Sequence, residues 1–593
     1  MATESFFSSA SLAYLASAGA GKDGKTYSIK PTDGSGDFTF SRGSNLAATR
    51  VGADGLIEKG RENLLLQSNQ FDTSPWIQSL GASGGVISGQ IGYDGTNDAW
   101  KINSKGALYP YVHQSVSQSG VHTFSVYAKR GDVDFIRLLV IGGSNPDARF
   151  DLFNGTAPFV SGGALYANIE PVGTGGWYRC SLAVNIVGSS YRIYPMVDTG
   201  TFAPIDEGIY VQNAQLEIGL AATDVISTGA TTGKAGLLED EPRFDYSGGA
   251  TCPSLLLEPS RTNLFLISEP ASADGTSPSS PSSYLGSLDW GIGNVYGGVQ
   301  LDGGATTYHY GATVAVSTTY AISFFIRRTD SGVPIWATSS TSAAGDFMMY
   351  IGGAGVGIGD LDATPSITLF KNDVYKVEAI YTTPASVSSP VNTGILKTSA
   401  NSANSVQATG FQFEVGTYPT SYIPNHSGTG SVTRGDDRPY LTLDLSSIAP
   451  KSAGTMYLEY DADVVDNGAY WVGLSTSSSS LTDWVFIGRD GASNRLYIRA
   501  NGSAIDSTSI AHSTSGTQKL AIVWNESTGT AAFINGTKVD STTGSFSFAG
   551  NFGHLNLGGS TASNPVSVVA PTKQLLIFPE ALSDADCINI TSL

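Results

Sequence analysis

An eight-residue phrase occurs twice in this sequence, and its repetition constrains the fold more than any other feature. RENLLLQS occupies residues 61–68, and RTNLFLIS occupies residues 261–268. Three further pairs of segments recur in the same order at nearly the same spacing: HTFSVYAKR with YAISFFIRR, GGWYRC with NDVYKV, and QLEIGL with QFEVGT. A period this long indicates two tandem copies of one domain, since the repeats of solenoids run about 20–50 residues.

Each copy has the pattern of short β-strands. In HTFSVYAKR, Phe124, Val126 and Ala128 alternate with their neighbours, which is the period of a half-buried strand. Clusters of Gly, Asn, Asp and Ser separate such stretches, as loops between strands do. The chain has 71 glycines and only 14% charged residues, a composition that disfavours helices. The sequence therefore predicts an all-β protein built from β-sandwiches of jelly-roll type.

A third unit with a different pattern follows the two copies. Its clearest hairpin lies in KLAIVWNESTGTAAFINGTKVD, where Asn535 and Gly536 supply the turn, and Ser583 is a predicted N-cap of a short helix. TRGDDRPY, where the second copy meets this unit, predicts a salt-bridged linker. We expect an extended N-terminal virion-attachment or lead-in segment and three tandem sandwiches, at 1–50, 51–245, 246–440 and 441–593.

Charge and composition exclude some partners. The net charge of −19 disfavours nucleic acid, whose phosphates are bound mostly by Lys and Arg. No run of 18 apolar residues occurs, so we expect no membrane insertion. The N-terminal stretch lacks the basic start of a signal peptide, and three widely spaced cysteines give no disulfide framework.

The sequence favours a protein that is not an enzyme. It contains no G-x-S-x-G, H-E-x-x-H or P-loop pattern, and its six histidines share no metal-ligand spacing. A glycosidase needs two carboxylates across a cleft, which a sequence alone does not exclude. Glu217 and Glu414 occupy equivalent positions in the two copies, and we expect them to pair with Arg61 and Arg261 in a structural role.

Candidate sugar and metal sites lie in loop-like stretches. Sugar binding needs exposed aromatic rings, which nominates Trp76, Trp290 and Trp484, with core packing as the alternative for each. GYDGTNDAW offers hard oxygen ligands for a structural calcium ion, with a solvated turn as the alternative. These calcium candidates are Asp94, Asn97 and Asp98. No other cofactor is expected.

Two longer phrases carry a family resemblance. GDFTFSRGSNLAATRVGADGLIEKGRENLLLQS and DEPRFDYSGGATCPSLLLEPSRTNL, together with the ending KQLLIFPEALSDADCINI, resemble segments of virion proteins of tailed bacteriophages, in particular fibre and appendage proteins of crAss-like phages. The two copies resemble carbohydrate-binding-module jelly rolls, and the third unit is similar to concanavalin A/laminin G sandwiches.

The resemblance implies a structural virion protein, exposed on the particle as a head or tail fibre. Its implied partners are other virion proteins, further copies of itself in a homotrimer, and host-surface glycans. A dedicated glycan-binding receptor-binding protein is an alternative, and a glycan-degrading tailspike enzyme is a second. Head and tail positions both stay open, as does the identity of any glycan.

Overall fold

The computed structural model describes most of the chain. It covers residues 2–593 apart from 44, 45, 174, 272–281, 303–305, 313, 340–344, 352, 353, 357–359, 387–390, 398–403, 463–468, 479–481, 491, 492, 512–515 and 559–569. Within these described residues the fold is almost entirely β, and no helix is long and apolar enough to cross a bilayer. The all-β prediction of tandem sandwiches is confirmed.

The N-terminal region precedes the first sandwich and is already structured. Its elements are helix α1 (Ala2–Ser9) and strands β1 (Leu12–Leu15), β2 (Gly21–Lys22), β3 (Lys25–Thr26), β4 (Phe38–Ser41), β5 (Thr49–Val51), β6 (Ile57–Lys59) and β7 (Arg61–Asn63). A 3₁₀ helix, Ala16–Ala18, follows β1. The hairpin of β5 and β6 leads directly into the repeated phrase.

The first copy is a sandwich of two six-stranded sheets. Its strands are β8 (Ile77–Gly81), β9 (Val86–Gln90), β10 (Ala99–Asn103), β11 (Gly106–Gln114), β12 (Val121–Lys129), β13 (Phe135–Ile141), β14 (Asp147–Asp151), β15 (Thr156–Ser161), β16 (Tyr166–Val172), β17 (Trp177–Asn185), β18 (Ser190–Met196) and β19 (Gly208–Ile218). The sheet orders are β16-β17-β12-β19-β10-β9 and β15-β14-β13-β18-β11-β8. Alternate residues of both sheets, such as Phe124 and Ile136, fill the core between them.

A linker joins the copies, and the second copy repeats the first. The linker holds β20 (Gly233–Ala235), β21 (Phe244–Asp245), a 3₁₀ helix (Ser247–Gly249), β22 (Ser254–Leu257) and β23 (Arg261–Asn263). The second sandwich holds β24 (Ser283–Tyr284), β25 (Val299–Leu301), β26 (Thr306–Ala312), β27 (Thr319–Arg328), β28 (Met348–Ile351), β29 (Ala354–Val356), β30 (Ser366–Lys371), β31 (Val374–Thr382), β32 (Val391–Lys397) and β33 (Val406–Val415). Its larger sheet has the order β30-β31-β27-β33-β25-β24, which matches the first copy strand for strand.

Strand β34 (Val432–Arg434) follows the second sandwich and pairs with β23. The third sandwich contains β35 (Arg438–Thr442), β36 (Ala453–Asp461), β37 (Ala469–Ser475), β38 (Trp484–Asp490), β39 (Ser493–Ala500), β40 (Ser503–Ala511), β41 (Thr517–Asn525), β42 (Gly529–Ile534), β43 (Thr537–Thr543), β44 (His554–Leu557), β45 (Ala570–Phe578) and α2 (Asp584–Thr591). The predicted turn at Asn535 and Gly536 is confirmed, with φ of 47° and 79°. Ser583 caps α2 by accepting from Asp586 N, as the sequence predicts.

The N-terminal segment differs from the expected separate lead-in, because it completes the third sandwich. Strand β1 pairs with β45, Leu12 opposite Ile577, and β4 pairs with β35, Phe40 opposite Pro439. Leu12, Phe38 and Phe40 are buried in the third core. The apolar alternation of FTFS and LAYL explains this placement, and β22 of the linker also pairs with β45. The domain boundaries therefore do not follow chain order.

One buried asparagine in each copy accounts for the repeated phrase. Asn63 Nδ2 donates to Ala214 O and Ile226 O, while its Oδ1 accepts from Leu65 N and Leu216 N. Asn263 forms the same four bonds, to Phe411 O, Ile423 O, Phe265 N and Phe413 N. Each amide thus joins the entry segment to the last long strand of its sandwich, and each is fully buried.

A buried ionic cluster lies where the three sandwiches meet. Arg243 Nη1 is 2.7 Å from Glu258 Oε2, and its Nη2 contacts Asp437; Arg434 Nη1 is 2.9 Å from the same Glu258 oxygen. Arg42, which follows β4, is 3.3 Å from Asp437 Oδ1. All five side chains are almost fully buried. The cluster confirms the salt-bridged linker at TRGDDRPY, which supplies Arg434 and Asp437.

Replacing either asparagine with aspartate tests its role in joining each entry segment to its sandwich. Asn63→Asp and Asn263→Asp keep the acceptor oxygen but remove both N–H donors and bury a charge, so each is expected to cost about 2–4 kcal/mol of unfolding free energy. Melting curves measure the loss, and Asn97→Asp, at an exposed position with no described contact, serves as the control. Equal melting temperatures for all three variants would contradict the role.

The ionic cluster predicts an acid-sensitive stability. Burial opposes the ionisation of Glu258, but Arg434, Arg243 and the hydrogen bonds from Ser421 outweigh burial and lower its pKa from 4.5 to about 2. Because the folded-state pKa is the lower one, this stabilisation is present above pH 4.5 and is lost as the pH falls towards 2.

Glu258→Gln is expected to lower the melting temperature at pH 7, because it leaves buried arginines without their full counter-charge, a loss of about 3–5 kcal/mol. The melting temperature of this variant should also change less as the pH falls. The counterpart Glu58→Gln is the control, since Glu58 pairs with Arg50 in a partly exposed position. If the melting temperature of Glu258→Gln falls with pH as steeply as that of the wild-type protein, Glu258 is not the cause of the acid sensitivity.

Candidate functional site

A cleft on the first sandwich gathers arginines and aromatic rings on one sheet face. In β18 of the six-stranded sheet β15-β14-β13-β18-β11-β8, Ile193 points into the core, so Arg192 and Tyr194 point outwards. The cleft encloses about 390 Å³. Its walls are Tyr109, Tyr111, Arg137, Arg149, Arg192, Tyr194, Met196, Gly200 and Phe202.

Strand register brings these side chains together. Arg137 of β13 lies opposite Tyr194 of β18 on one side and opposite Arg149 of β14 on the other. Tyr111 of β11 is 4.8 Å from Tyr194, measured between ring centroids. Cross-strand neighbours on one face of a sheet are close enough to interact directly, so four consecutive strands build a single surface.

Each arginine stacks on an aromatic ring. The guanidinium of Arg192 lies 4.6 Å from the ring centroid of Tyr111, and that of Arg137 lies 5.0 Å from Tyr194. Arg149 lies 4.0 Å from the ring of Phe159. Such stacking orients the guanidinium planes and leaves N–H groups at their edges for a ligand.

The cleft carries positive charge. Asp147 forms ion pairs with Arg137 at 2.8 Å and Arg149 at 2.9 Å. The described hydrogen bonds of Arg192 go to hydroxyl groups alone, those of Ser190 and Tyr194, each at 3.3 Å. Three arginines against one carboxylate make this face basic on a chain whose net charge is −19.

Neighbouring titratable groups do not add to that charge. Burial and the charge of Arg192 lower the pKa of His113, which pairs with Arg192 across β11 and β18. Burial raises the pKa of Tyr194 despite its hydrogen bond from Arg192. At neutral pH both groups are therefore uncharged, and the positive charge of the cleft comes from the arginines.

Exposed rings beside guanidinium groups suit a particular ligand chemistry. Aromatic faces pack against the apolar C–H faces of sugars, and guanidinium groups bind carboxylate or sulfate by two parallel hydrogen bonds. Tyr109 is 57% exposed, so its ring is open to a ligand. The arrangement can recognise a sugar chain that carries acidic groups.

Two of the three tryptophans nominated for sugar stacking are buried. Trp76 is 5% exposed and packs on Phe71, with ring centroids 4.8 Å apart. Trp290 is 2% exposed and lies in an apolar cluster that includes Ile57 of the first copy. The prediction is wrong for both residues, because a stacking platform needs an exposed ring face. Their alternative, core packing, is what the structure shows.

Trp484 has a different environment. It is half-buried in β38, whose neighbours Val485 and Ile487 point into the third core, so Trp484 lies on the outer face of its sheet. Its ring is 4.0 Å from Phe486 and 5.5 Å from Tyr497, between centroids. A glycan-binding role for Trp484 stays a prediction.

The expected pairs of arginine and glutamate do not form. Glu217 accepts from Thr223 N at 2.9 Å, from the Thr223 hydroxyl and from Gln215 Nε2, and Glu414 forms the equivalent bonds to Thr420. Among the described ion pairs, none joins Glu217 to Arg61 or Glu414 to Arg261. The nearer threonines satisfy both carboxylates, so the pairing prediction is wrong. The structural role of the two glutamates holds.

The proposed calcium ligands are already occupied by donors. Thr96 N donates to Asp94 Oδ1 at 3.1 Å, the single Thr96 hydroxyl proton is shared between Asp94 Oδ1 at 2.6 Å and Asp98 Oδ1 at 2.5 Å, and Gln212 Nε2 donates to Asp98 Oδ1 at 2.6 Å. Asn97 is exposed and makes no described contact with them. Calcium needs free oxygens rather than N–H and O–H donors, so these residues do not fit it. Over the described part of the chain, no group of three or more His, Cys, Asp or Glu could hold a metal ion.

Neither a protein-family model nor a curated protein matches the sequence. Solved structures that resemble part of the chain include the CBM40 of the Ruminococcus gnavus IT-sialidase bound to α2,3-sialyllactose, at 15% identity and a TM-score of 0.22 over 26% of this chain and 92% of that one. Domain 4 of AbnA, a GH43 arabinanase from Geobacillus stearothermophilus in complex with arabinotriose, has 15% identity and a TM-score of 0.22 over 28% and 78%.

A third resemblance is to the NanB sialidase of Streptococcus pneumoniae, at 18% identity and a TM-score of 0.22. It covers 25% of this chain and 26% of that one, so the likeness spans about a quarter of each chain. At these TM-scores and identities the likenesses carry no argument about this protein. The fold assignment rests on the sheets described above.

Sequence reasoning missed the cleft. Its signal is present in SYRIYPM, where Arg192 and Tyr194 occupy the outward positions of a strand, and in YPYVHQ, where Tyr109 and Tyr111 do the same. Each strand alone shows only ordinary alternation. The cleft becomes visible when the register of β11, β18, β13 and β14 is known.

Proposed function

We propose that this protein binds acidic glycans through the cleft of the first sandwich. The observation that carries the proposal is the concentration of three arginines beside the accessible rings of Tyr109, Tyr111 and Phe202 in one cleft on a strongly acidic chain. Stacking supplies affinity for the sugar rings, and the guanidinium groups select carboxylate or sulfate substituents. The rest of the surface, being acidic, repels the same ligands and so favours binding at this face.

A binding role, rather than a hydrolytic one, is proposed for the cleft. Glycoside hydrolysis uses two carboxyl groups about 5–9.5 Å apart. None of the residues that line the cleft is acidic, and Asp147 beside it is held by Arg137 and Arg149. The glycan-degrading alternative is tested by incubating the protein with acidic polysaccharide and measuring new reducing ends, which we do not expect.

Two substitutions test glycan binding. Tyr111→Ala removes a ring face and Arg192→Gln removes the arginine without an acidic partner, and each is expected to weaken binding of sialyllactose or a glucuronate oligosaccharide about 10-fold or more. Titration calorimetry at low and high salt measures the affinities. Binding should weaken as salt rises, since exposed charges are screened.

Arg130→Gln is the matched control for these variants. Arg130 also stacks on an aromatic ring of the first sandwich, Phe153 at 4.9 Å, but does not line the cleft. It should bind like the wild-type protein. Lactose should bind at least 10-fold more weakly than sialyllactose, and equal affinity for the two, or equal loss in all three variants, contradicts the proposal.

We propose further that this glycan binding serves a tailed-phage virion, with the protein exposed as a head or tail fibre or appendage. The resemblance of residues 36–68 and 240–264, and of the C-terminal segment, to phage virion proteins supports this placement. The proposed partners are other virion proteins, host-surface glycans and two further copies in a homotrimer. Attachment through residues 1–50 is not part of this proposal, because much of that segment belongs to the third sandwich.

Particle imaging tests the virion role. Antibody labelling of purified particles should decorate fibres at the head or tail, and light scattering of the isolated protein at high concentration should give three times the chain mass. Unlabelled particles contradict the virion role. A monomer at all concentrations contradicts the trimer while leaving the glycan experiment unaffected.

A further inference from the structure

A second cavity lies between the first and second sandwiches, away from the cleft. It encloses about 360 Å³ and is lined by the segment from β6 to β7, by the turn after β19 and by residues of the second copy. Lys59, Arg61 and Ala221 come from the first copy, and Tyr296 and His426 from the second. A backbone hydrogen bond from Val121 N to His426 O, at 2.9 Å, joins the two copies at its edge.

His426 is a buried polar group without a partner in this cavity. Its side chain is 4% exposed, and neither ring nitrogen has a hydrogen-bond partner. The nearest carboxylate oxygen recorded for it, Glu269 Oε1, is 3.7 Å from Nε2, beyond hydrogen-bond distance. Buried polar side chains are normally paired, so an unpaired imidazole facing a cavity indicates a missing ligand.

Two cations stand beside this imidazole. Among the described contacts, no hydrogen bond or ion pair engages the Lys59 ammonium or the Arg61 guanidinium. A Cβ built on Gly219 would lie 3.7 Å from Lys59 Nζ and 3.5 Å from His426 Nε2, which places both nitrogens around the same point. Burial and the Lys59 charge lower the pKa of His426 to about 3, so the imidazole is neutral at physiological pH.

The acidic groups of the wall do not meet these donors' needs. Glu217 is 3% exposed and already accepts from Gln215 and Thr223. Glu62 is the other carboxylate of the wall and has no described partner. Glu269, beside His426, accepts from Tyr296 N and from the Tyr422 hydroxyl, each at 2.8 Å, and burial raises its pKa against the opposing effect of the Lys59 charge. The N–H groups of Lys59, Arg61 and His426 thus keep no described hydrogen-bond partner, while Leu220 and Val432 add apolar surface. This combination suits an organic molecule that carries an anionic group.

The two copies differ at one position beside this cavity. In the second copy Tyr418 occupies the position equivalent to Ala221, and the guanidinium of Arg261 lies 5.1 Å from its ring centroid. Arg261 is thereby packed against a ring, whereas Arg61 and the small side chain of Ala221 both line the cavity.

We propose that this cavity binds a small organic carboxylate, whose carboxyl group is held by Lys59, Arg61 and His426 and whose body lies on the apolar wall. The site is distinct from the glycan cleft, and it joins residues of both copies. A bound ligand would therefore stabilise the contact between the first and second sandwiches.

Calorimetric titration with glucuronate tests the site in full-length protein carrying Tyr111→Ala and Arg192→Gln, which disable the cleft. Binding with one site per chain is expected. Ala221→Tyr, which copies the second repeat, and Arg61→Gln should each weaken it at least 10-fold. Arg261→Gln is the matched control and should bind normally.

Each remaining outcome has a defined meaning. Absence of glucuronate binding in the cleft-disabled protein, or unchanged affinity in both Ala221→Tyr and Arg61→Gln, overturns the site. Phosphate bound as tightly as glucuronate overturns the requirement for an organic body. Melting curves identify a variant that does not fold. If Ala221→Tyr does not fold, the affinity of Arg61→Gln for glucuronate alone tests the site. Loss of glycan binding by the cleft variants alone concerns only the proposed function.

Discussion

The buried charges of Arg243, Glu258 and Asp437 are the interaction on which the arrangement of this molecule depends. Removal of one partner would leave an uncompensated charge away from water, which costs far more than an exposed ion pair contributes. The partners arrive from distant places: Arg243 and Glu258 flank the linker strands β21 and β22, while Asp437 precedes β35. Glu258 N also donates to the Asp437 carboxylate, and Asp437 N donates to Glu258 O. The segments that connect the sandwiches are therefore held together at one buried point.

Duplication followed by divergence explains the rest of the architecture. Asn63 and Asn263 keep identical hydrogen bonds because each copy must attach its entry segment to its last long strand. The preceding glutamate has diverged: Glu58 forms a partly exposed pair, whereas Glu258 is buried in the junction. The second copy thus became the connector between domains. The first kept an open sheet face for its cleft and, through Ala221, a cavity at the interface.

Local features of this fold could be predicted from the sequence, and features that depend on distant pairing could not. The turn at Asn535 and the cap at Ser583 depend on a few adjacent residues, and the linker at TRGDDRPY on a compact charge pattern. The pairing of Leu12 with Ile577 carries no local signal. The same limit explains the errors at Trp76 and Trp290, whose loop-like surroundings do not reveal what covers them. The cleft also required strand register, and Glu217 found a threonine six residues away instead of the expected arginine.

The pairing of β1 with β45 has a consequence for how the chain is made. Strand β45, the partner of β1, lies 565 residues further along the chain (Leu12 opposite Ile577), so β1 waits about half a minute to two minutes for it at ~5–20 residues per second. During that interval Leu12 and Tyr14 have no core to enter, and the linker strand β22, which needs the same partner, waits with them. The two repeated sandwiches can close as they emerge, whereas the third assembles only after β45 has emerged. Until then the nascent chain carries exposed strand edges, the condition under which holding chaperones act.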